Sequence, residues 1–238
     1  MTDAWPERPF AILRVRDLPP ARQAELRRLH QPNPWWNLKI LVFALIWIAA
    51  AMLALRVETL AVRLACYFLI GATIQGLVIL MHEAVHGIMF RDRRLNRWVG
   101  FICGVPALLS VSAYRMGHLP HHRYERSHRD PDELENFSRN PRVLAVLFGL
   151  TFMAGELFGF HRVGFGNAFR GKPAERRDVL IEYAIIVTVF AAAIAFLPGR
   201  VFLHGWVFPA LFARQLTNVR TLAEHVLTGH EHRLAATR

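Results

Sequence analysis

The chain has 238 residues, of which 53% are hydrophobic, and a formal net charge of +11. That apolar share exceeds the about 45–50% usual for soluble domains, and it is gathered into blocks, which excludes an ordinary soluble domain. The basic residues are nearly all Arg and flank the apolar blocks, as membrane proteins place them, and no nucleic-acid motif accompanies them, so no nucleic-acid partner is expected.

Residues 1–37 form a polar arm carrying Arg8, Arg14, Arg16, Arg22, Arg27 and Arg28. With no early apolar core there, no signal peptide is expected, and the first span itself directs insertion. Pro19–His30 reads as a short polar helix, and Pro34-Trp35-Trp36 marks the bilayer interface, where tryptophans anchor. Leu38–Leu55 is the first predicted span, Arg56-Val57-Glu58 a short turn, and Leu60–Met81 the second span. The second helix is expected to continue to about Phe90. At about 45 Å it outruns a hydrocarbon core of about 30 Å, which puts His82 and His86 at or beyond the membrane surface.

Residues 91–142 carry ten arginines, from Arg91, Arg93, Arg94 and Arg97 to Arg139 and Arg142, and the positive-inside rule assigns the segment 91–178 that holds them to the cytosol. Two apolar pieces lie among them: Trp98–Val111, short for a span, and Val143–Phe160, which holds Glu156. If Val143–Phe160 crossed alone, the histidines before it would lie on the opposite side from the residues after the final span. A shared metal site therefore requires it to be an interfacial or re-entrant helix. Val179–Leu197 and Val201–Leu216 are predicted as a hairpin turning at Pro198-Gly199-Arg200, with the last helix running on to about Leu227. Cys66 and Cys103 sit in apolar surroundings without paired spacing and read as small buried hydrophobes. The expected architecture is an all-α integral membrane protein with about four transmembrane helices in two hairpins, plus interfacial helices. The expected organisation is an N-terminal arm, 1–37, and one membrane domain, 38–238, with both termini and the metal site on the cytoplasmic side.

The chemistry lies in the histidines, of which there are 12. His82-Glu83-Ala84-Val85-His86-Gly87 puts two imidazoles four apart on one helix face. His118-Leu119-Pro120-His121-His122 puts three more at i, i+3 and i+4. Ala223-Glu224-His225 lies just after the final apolar run, and His230 and His232 come later still. Ionisable residues at the mouth of a membrane bundle are costly to place without a function. Imidazole suits zinc, copper, iron and nickel. Five or six converging histidines exceed the needs of one tetrahedral ion and suggest two ions.

These residues resemble the membrane fatty acid desaturase and hydroxylase superfamily, whose histidine boxes hold a di-iron centre. The matching pieces are HEAVHG at 82–87, HLPHHRY at 118–124, DPDELENF at 130–137 and RTLAEH at 220–225. The resemblance implies that His82, His86, His118, His121, His122 and His225 are iron ligands. It also implies that Glu83, Asp130, Asp132 and Glu224 orient imidazoles by accepting their other N–H. The family normally carries a third HxxHH box beyond the last span, and this sequence reaches Arg238 without one. Truncation relative to the family is the expectation taken forward; substitution by His230 and His232, or an inactive fragment, are the other readings.

The implied chemistry is O2-dependent dehydrogenation of an acyl chain by two iron ions. Electrons would come from an external carrier of ferredoxin, rubredoxin or cytochrome b5 type, since nothing here resembles a flavin, haem or iron–sulfur motif. A related lipid, carotenoid or alkane hydroxylase or ketolase would use similar boxes. The rival from motif alone is a zinc intramembrane protease, with His82 and His86 as ligands and Glu83 as general base. It leaves HLPHH unexplained and lacks an Asp in the last two spans.

Overall fold

A computed structural model describes residues 15–29, 31–124, 128–131, 136, 138–150, 169, 171–221 and 223, and these are helical with no strand among them. The first helix, α1, is Pro20–Leu29, a polar helix with no buried residue. Asn33 accepts a hydrogen bond from the Trp35 amide at 3.2 Å and caps a 3-10 turn, Pro34–Leu38, that leads into α2, Lys39–Arg56. Asn33 is suited to this because its short side chain reaches the backbone amides left over at a helix start. Trp35 and Trp36 stay exposed beside the turn, as an interfacial anchor requires.

The centre of the molecule is α3, Leu60–Val85. Its 26 residues extend about 39 Å. Tyr67, Ile70, Ile74, Leu80, Met81 and Val85 are all buried, so this helix is enclosed on several sides where α2 is largely open to its surroundings. It packs against α2, against α4 (Arg93–Gly104) and α5 (Val111–Tyr124), and against α9 (Phe208–Thr221). Small residues set these contacts. A Cβ added to Gly71 would stand 2.7 Å from Phe212 Cβ and 2.8 Å from the Ala213 nitrogen, so only glycine lets α3 and α9 approach this closely.

After α5 come α6, Pro141–Leu150, and α7, Pro173–Phe196. The break falls slightly before the turn expected at Pro198-Gly199-Arg200: α7 stops at Phe196 and α8 begins at Gly199, so Gly199 and Arg200 are helical. From α8 (Gly199–Phe202) the helix continues through one π turn, Leu203–Val207, into α9. Phe190 of α7 meets Phe202 and Trp206 near the turn, while α9 itself runs along α3.

Among the described residues, three helices are long and apolar enough to cross a membrane, within Pro20–Arg56, Leu60–Val85 and Pro173–Phe196. The pair Arg93–Ala107 and Val111–Tyr124, bent by 97°, makes a fourth if counted as one span. The chain is thus an all-α membrane protein. The piece expected over Val143–Phe160 is a helix as far as Leu150, and the remainder lies outside the described residues, as does the expected extension of the last helix from 224 to Leu227.

One boundary differs from expectation. The second span ends at Val85, not near Phe90. Gly87 takes a φ of +74°, its N–H bonds the Ala84 carbonyl at 3.0 Å, and the Ile88 N–H bonds the Glu83 carbonyl at 3.1 Å. This is a Schellman cap, which glycine favours because the left-handed conformation strains any residue with a Cβ.

Candidate metal centre

The cap at Gly87 leaves His82 in the last turn of α3 and His86 as the capping residue itself. The chain beyond is held in place by Asn96, which is buried and accepts the Met89 and Phe90 amides at 3.2 Å each while donating to the Phe90 carbonyl at 2.5 Å. Asn37 adds a bond to the Met89 carbonyl at 2.8 Å. Asp92 accepts from the Arg94 and Leu95 amides and starts α4. That helix returns so close to α3 that a Cβ on Gly100 would lie 2.6 Å from Ala84 Cβ.

The 97° bend then sends α5 back past the end of α3. Two contacts fix it there. At its start, Ser110 accepts from the Ala113 amide at 3.0 Å as an N-cap, and Glu182 of α7 accepts from Ser110 Oγ and Ser112 Oγ at 2.6 Å each and from the Ser112 amide at 2.9 Å. Glu182 is 1% exposed and also faces Arg97, which pairs with Asp178 at 2.8 Å. Further along, Arg115 donates to the Val85 carbonyl at 2.5 Å, filling an acceptor that the end of α3 leaves open.

The result is a group of four imidazoles, His82, His86, His118 and His122, whose ligand atoms all lie within 4.8 Å of one another. The Nε2 atoms of His86 and His118 are 3.1 Å apart, and those of His122 and His118 are 2.9 Å apart. Nitrogens about 2.1 Å from one ion would stand about 3.0 Å apart at right angles and about 3.4 Å apart at tetrahedral angles, so this spacing fits ligands of a common metal. Tyr114 flanks the group, its ring 4.7 Å from that of His118. Desolvation, and then the Arg115 guanidinium, push the His86 pKa below the ordinary imidazole value, which favours the neutral, metal-binding form.

The structure divides the second cluster. His118 and His122, a turn apart, join the four-histidine group, whereas His121 Nδ1 donates to Asp130 at 2.9 Å. Asp130 is 3% exposed, and its carbonyl accepts from Asn136 Nδ2 at 2.9 Å. A carboxylate accepts at this contact, so Nδ1 of His121 carries a proton, and in the neutral imidazole Nε2 is then the atom with the free lone pair. Glu83 is half-buried and its carboxylate is not part of the four-residue group. Asp132, Glu224, His225, His230 and His232 lie outside the described residues.

Sequence reasoning missed Glu182, Ser110, Ser112, Asn96 and Arg115. Two signals were available. A Glu within the apolar run Val179–Leu197 is costly unless satisfied, and a Ser directly before a helix, as Ser110 is before Val111, is an N-cap pattern.

The model of the fatty acid desaturase family matches residues 58–238. An sn-1 oleoyl-lipid 12-desaturase of Arthrospira platensis is 26% identical over 192 residues, covering 71% of this chain and 53% of that protein. A protein of the same description from Picosynechococcus sp. is 24% identical over 234 residues, covering 90% of this chain and 65% of its own length. A sphingolipid delta(4)-desaturase-like protein of Arabidopsis thaliana is 26% identical over 102 residues, covering 42% of this chain and 31% of the relative. The chain therefore spans between half and two thirds of the length of the two 12-desaturases.

Proposed function

The chain belongs to the fatty acid desaturase family, and from that premise we propose that it is a di-iron membrane oxidoreductase that dehydrogenates an acyl chain with O2. The observation that carries the reading is the convergence of His82, His86, His118 and His122 from two helices upon one point. Among the described residues the group is four imidazoles, a nitrogen donor set that fits a transition metal and does not include the carboxylate that a zinc protease of this motif would add from a later helix. When bound, the metal pair supplies the reductive activation of O2 and the removal of hydrogen from an unactivated C–H bond.

The protein's own part is binding, orientation and exclusion of water. His82, His86, His118 and His122 hold one ion. His121, through Nε2, and His225 are proposed ligands of the second, and Asp130 fixes the tautomer of His121. Support for His225 comes from α9, which runs parallel to α3 and heads toward the histidine end of the bundle: Gly71 lies beside Phe212, and Gln75 further along lies beside Thr217. Glu83, Asp132 and Glu224 are proposed to accept imidazole N–H groups, with His230 and His232 as substitute ligands.

A cleft of about 240 Å³ lies between α3, the bend at Pro106–Leu108 and the last helix. Val78 lines it one turn before His82, so a chain lying there would lead toward the metal. We assign the acyl tail to it. Electrons would arrive from a ferredoxin, rubredoxin or cytochrome b5 type carrier, and the arginine distribution supports a cytoplasmic site.

The test is metal and product analysis of the purified protein. Iron is expected in the wild type and lost in His118→Ala, and incubation with O2, reductant and acyl lipid is expected to give a new double bond. Stoichiometric zinc without iron, or iron unchanged in His118→Ala, would overturn the assignment. An alcohol as sole product would move it to the hydroxylases.

A further inference from the structure

The cleft that we assign to the acyl tail is not uniformly apolar. Val78, Leu108, Trp206 and Leu211 form apolar walls, but Gln75, Thr217 and Arg214 also line it. Gln75 is 7% exposed and sits in the middle of a helix long enough to cross a membrane. Its Oε1 accepts from the Thr217 hydroxyl, while its Nε2 has no hydrogen-bond partner. Exchanging the amide oxygen and nitrogen does not remove the surplus. Nε2 would then give one N–H to Thr217 Oγ1, whose own hydrogen reaches the Ala213 carbonyl at 3.1 Å, and a second N–H would remain. In either orientation a buried donor is left over in a cleft whose walls are mainly apolar.

A buried donor without a partner is costly, and a ligand that supplies an acceptor removes the cost. Gln75, Val78 and His82 stand at i, i+3 and i+7 on one face of α3. The donor therefore lies about 10 Å along the helix from the first metal ligand. Resting on the acyl-tail reading of this cleft, we propose that Gln75 is a specificity-determining residue, its amide donating to an oxygen of the bound lipid. Sites built to hydrogen-bond a substrate oxygen reject the analogue that lacks it, so this cleft selects oxygen-bearing chains over pure hydrocarbons. A chain entering this cleft tail first presents an oxygen carried along the chain, such as a hydroxyl, whereas an ester carbonyl reaches Gln75 only when the chain enters head first; both accept from an amide.

Competition against labelled methyl stearate, with the purified full chain in detergent micelles, tests this without any turnover. The competitors are octadecane, octadecanol and methyl stearate, which separate no oxygen, a hydroxyl and an ester. Wild-type protein is expected to favour at least one oxygen-bearing probe over octadecane by about tenfold or more. Gln75→Leu is expected to erase that preference, and comparing variants cancels the unequal partition of the probes into micelles. Gln75→Met serves if the leucine variant fails to fold. Thr217→Val keeps the donor and is expected to keep the preference. Octadecane competing as well as the others in wild type, or both Gln75 variants retaining the preference, would overturn the role of Gln75 and leave the cleft assignment standing. Failure of labelled methyl stearate to bind at all would overturn both.

Discussion

At the scale of single residues, position along the sequence is a poor guide to role. His121 and His122 are adjacent, yet one faces an acid and the other faces three imidazoles. The spacing of HLPHH shows that these residues share a helical turn. It does not show that Asp130, beyond the end of that helix, returns to hold His121. The Asp130 interaction is the one to test. Asp130→Asn removes the obligate acceptor, and the amide then competes for either tautomer. Metal affinity is expected to fall about 10–100-fold, the range for losing a partner of a ligating histidine, with little change in unfolding temperature. Titration of metal-free protein reads the first quantity and a melting curve the second. An equal affinity in both proteins would remove His121 from the site.

At the scale of elements, the helices were legible because membrane-length apolar runs are visible in a linear chain, and their ends were not. Gly87 stops α3 in a left-handed cap, so the second helix ends at Val85, beyond the apolar run that closes at Met81 but short of the expected end near Phe90. The 97° bend between α4 and α5 was equally hidden, because Trp98–Val111 reads as one apolar piece while Leu108 turns through a φ of 60°. The element that fixes this bend comes from α7, 70 residues further along the chain. Glu182→Ala would leave the Ser112 amide and both serine hydroxyls without their acceptor and would leave Arg97 with only Asp178. A loss of about 1–3 kcal/mol is expected for leaving buried donors without their acceptor, since Arg97 is partly exposed and keeps Asp178. A fall in the unfolding midpoint, together with reduced metal occupancy because α5 carries His118 and His122, would show it. Occupancy unchanged in a destabilised protein would mean that α5 is held by its other contacts.

At the scale of the whole molecule, sidedness decides whether one metal site can draw on all of its proposed ligands. Cys66 and Cys103 are both buried and free, so a single introduced cysteine reports with little background. Arg139 and Lys172 are exposed on either side of the segment that includes α6. Arg139→Cys and Lys172→Cys are expected to react with a membrane-impermeant maleimide from the same face, the one that carries the positive charge. Labelling from opposite faces would make that segment a crossing and would put His118 and His225 on different sides of the membrane. The fold class and the two histidine boxes could be read from composition and spacing. The partnership of α3 with α9 could not, because nothing in a linear apolar pattern says which span lies beside which.

That partnership has a consequence for how the protein is made. Gln75 and Thr217 are 142 residues apart, and Gly71 is shaped to receive Phe212 and Ala213. At ribosomal speeds of about 5–20 residues per second, α3 waits about 7–30 s in the bilayer before its neighbour is synthesised. Through that interval the groove around Gly71 lacks the helix it is shaped to receive. Both boxes have been translated before α9 arrives, so histidines can meet metal ahead of the closed bundle.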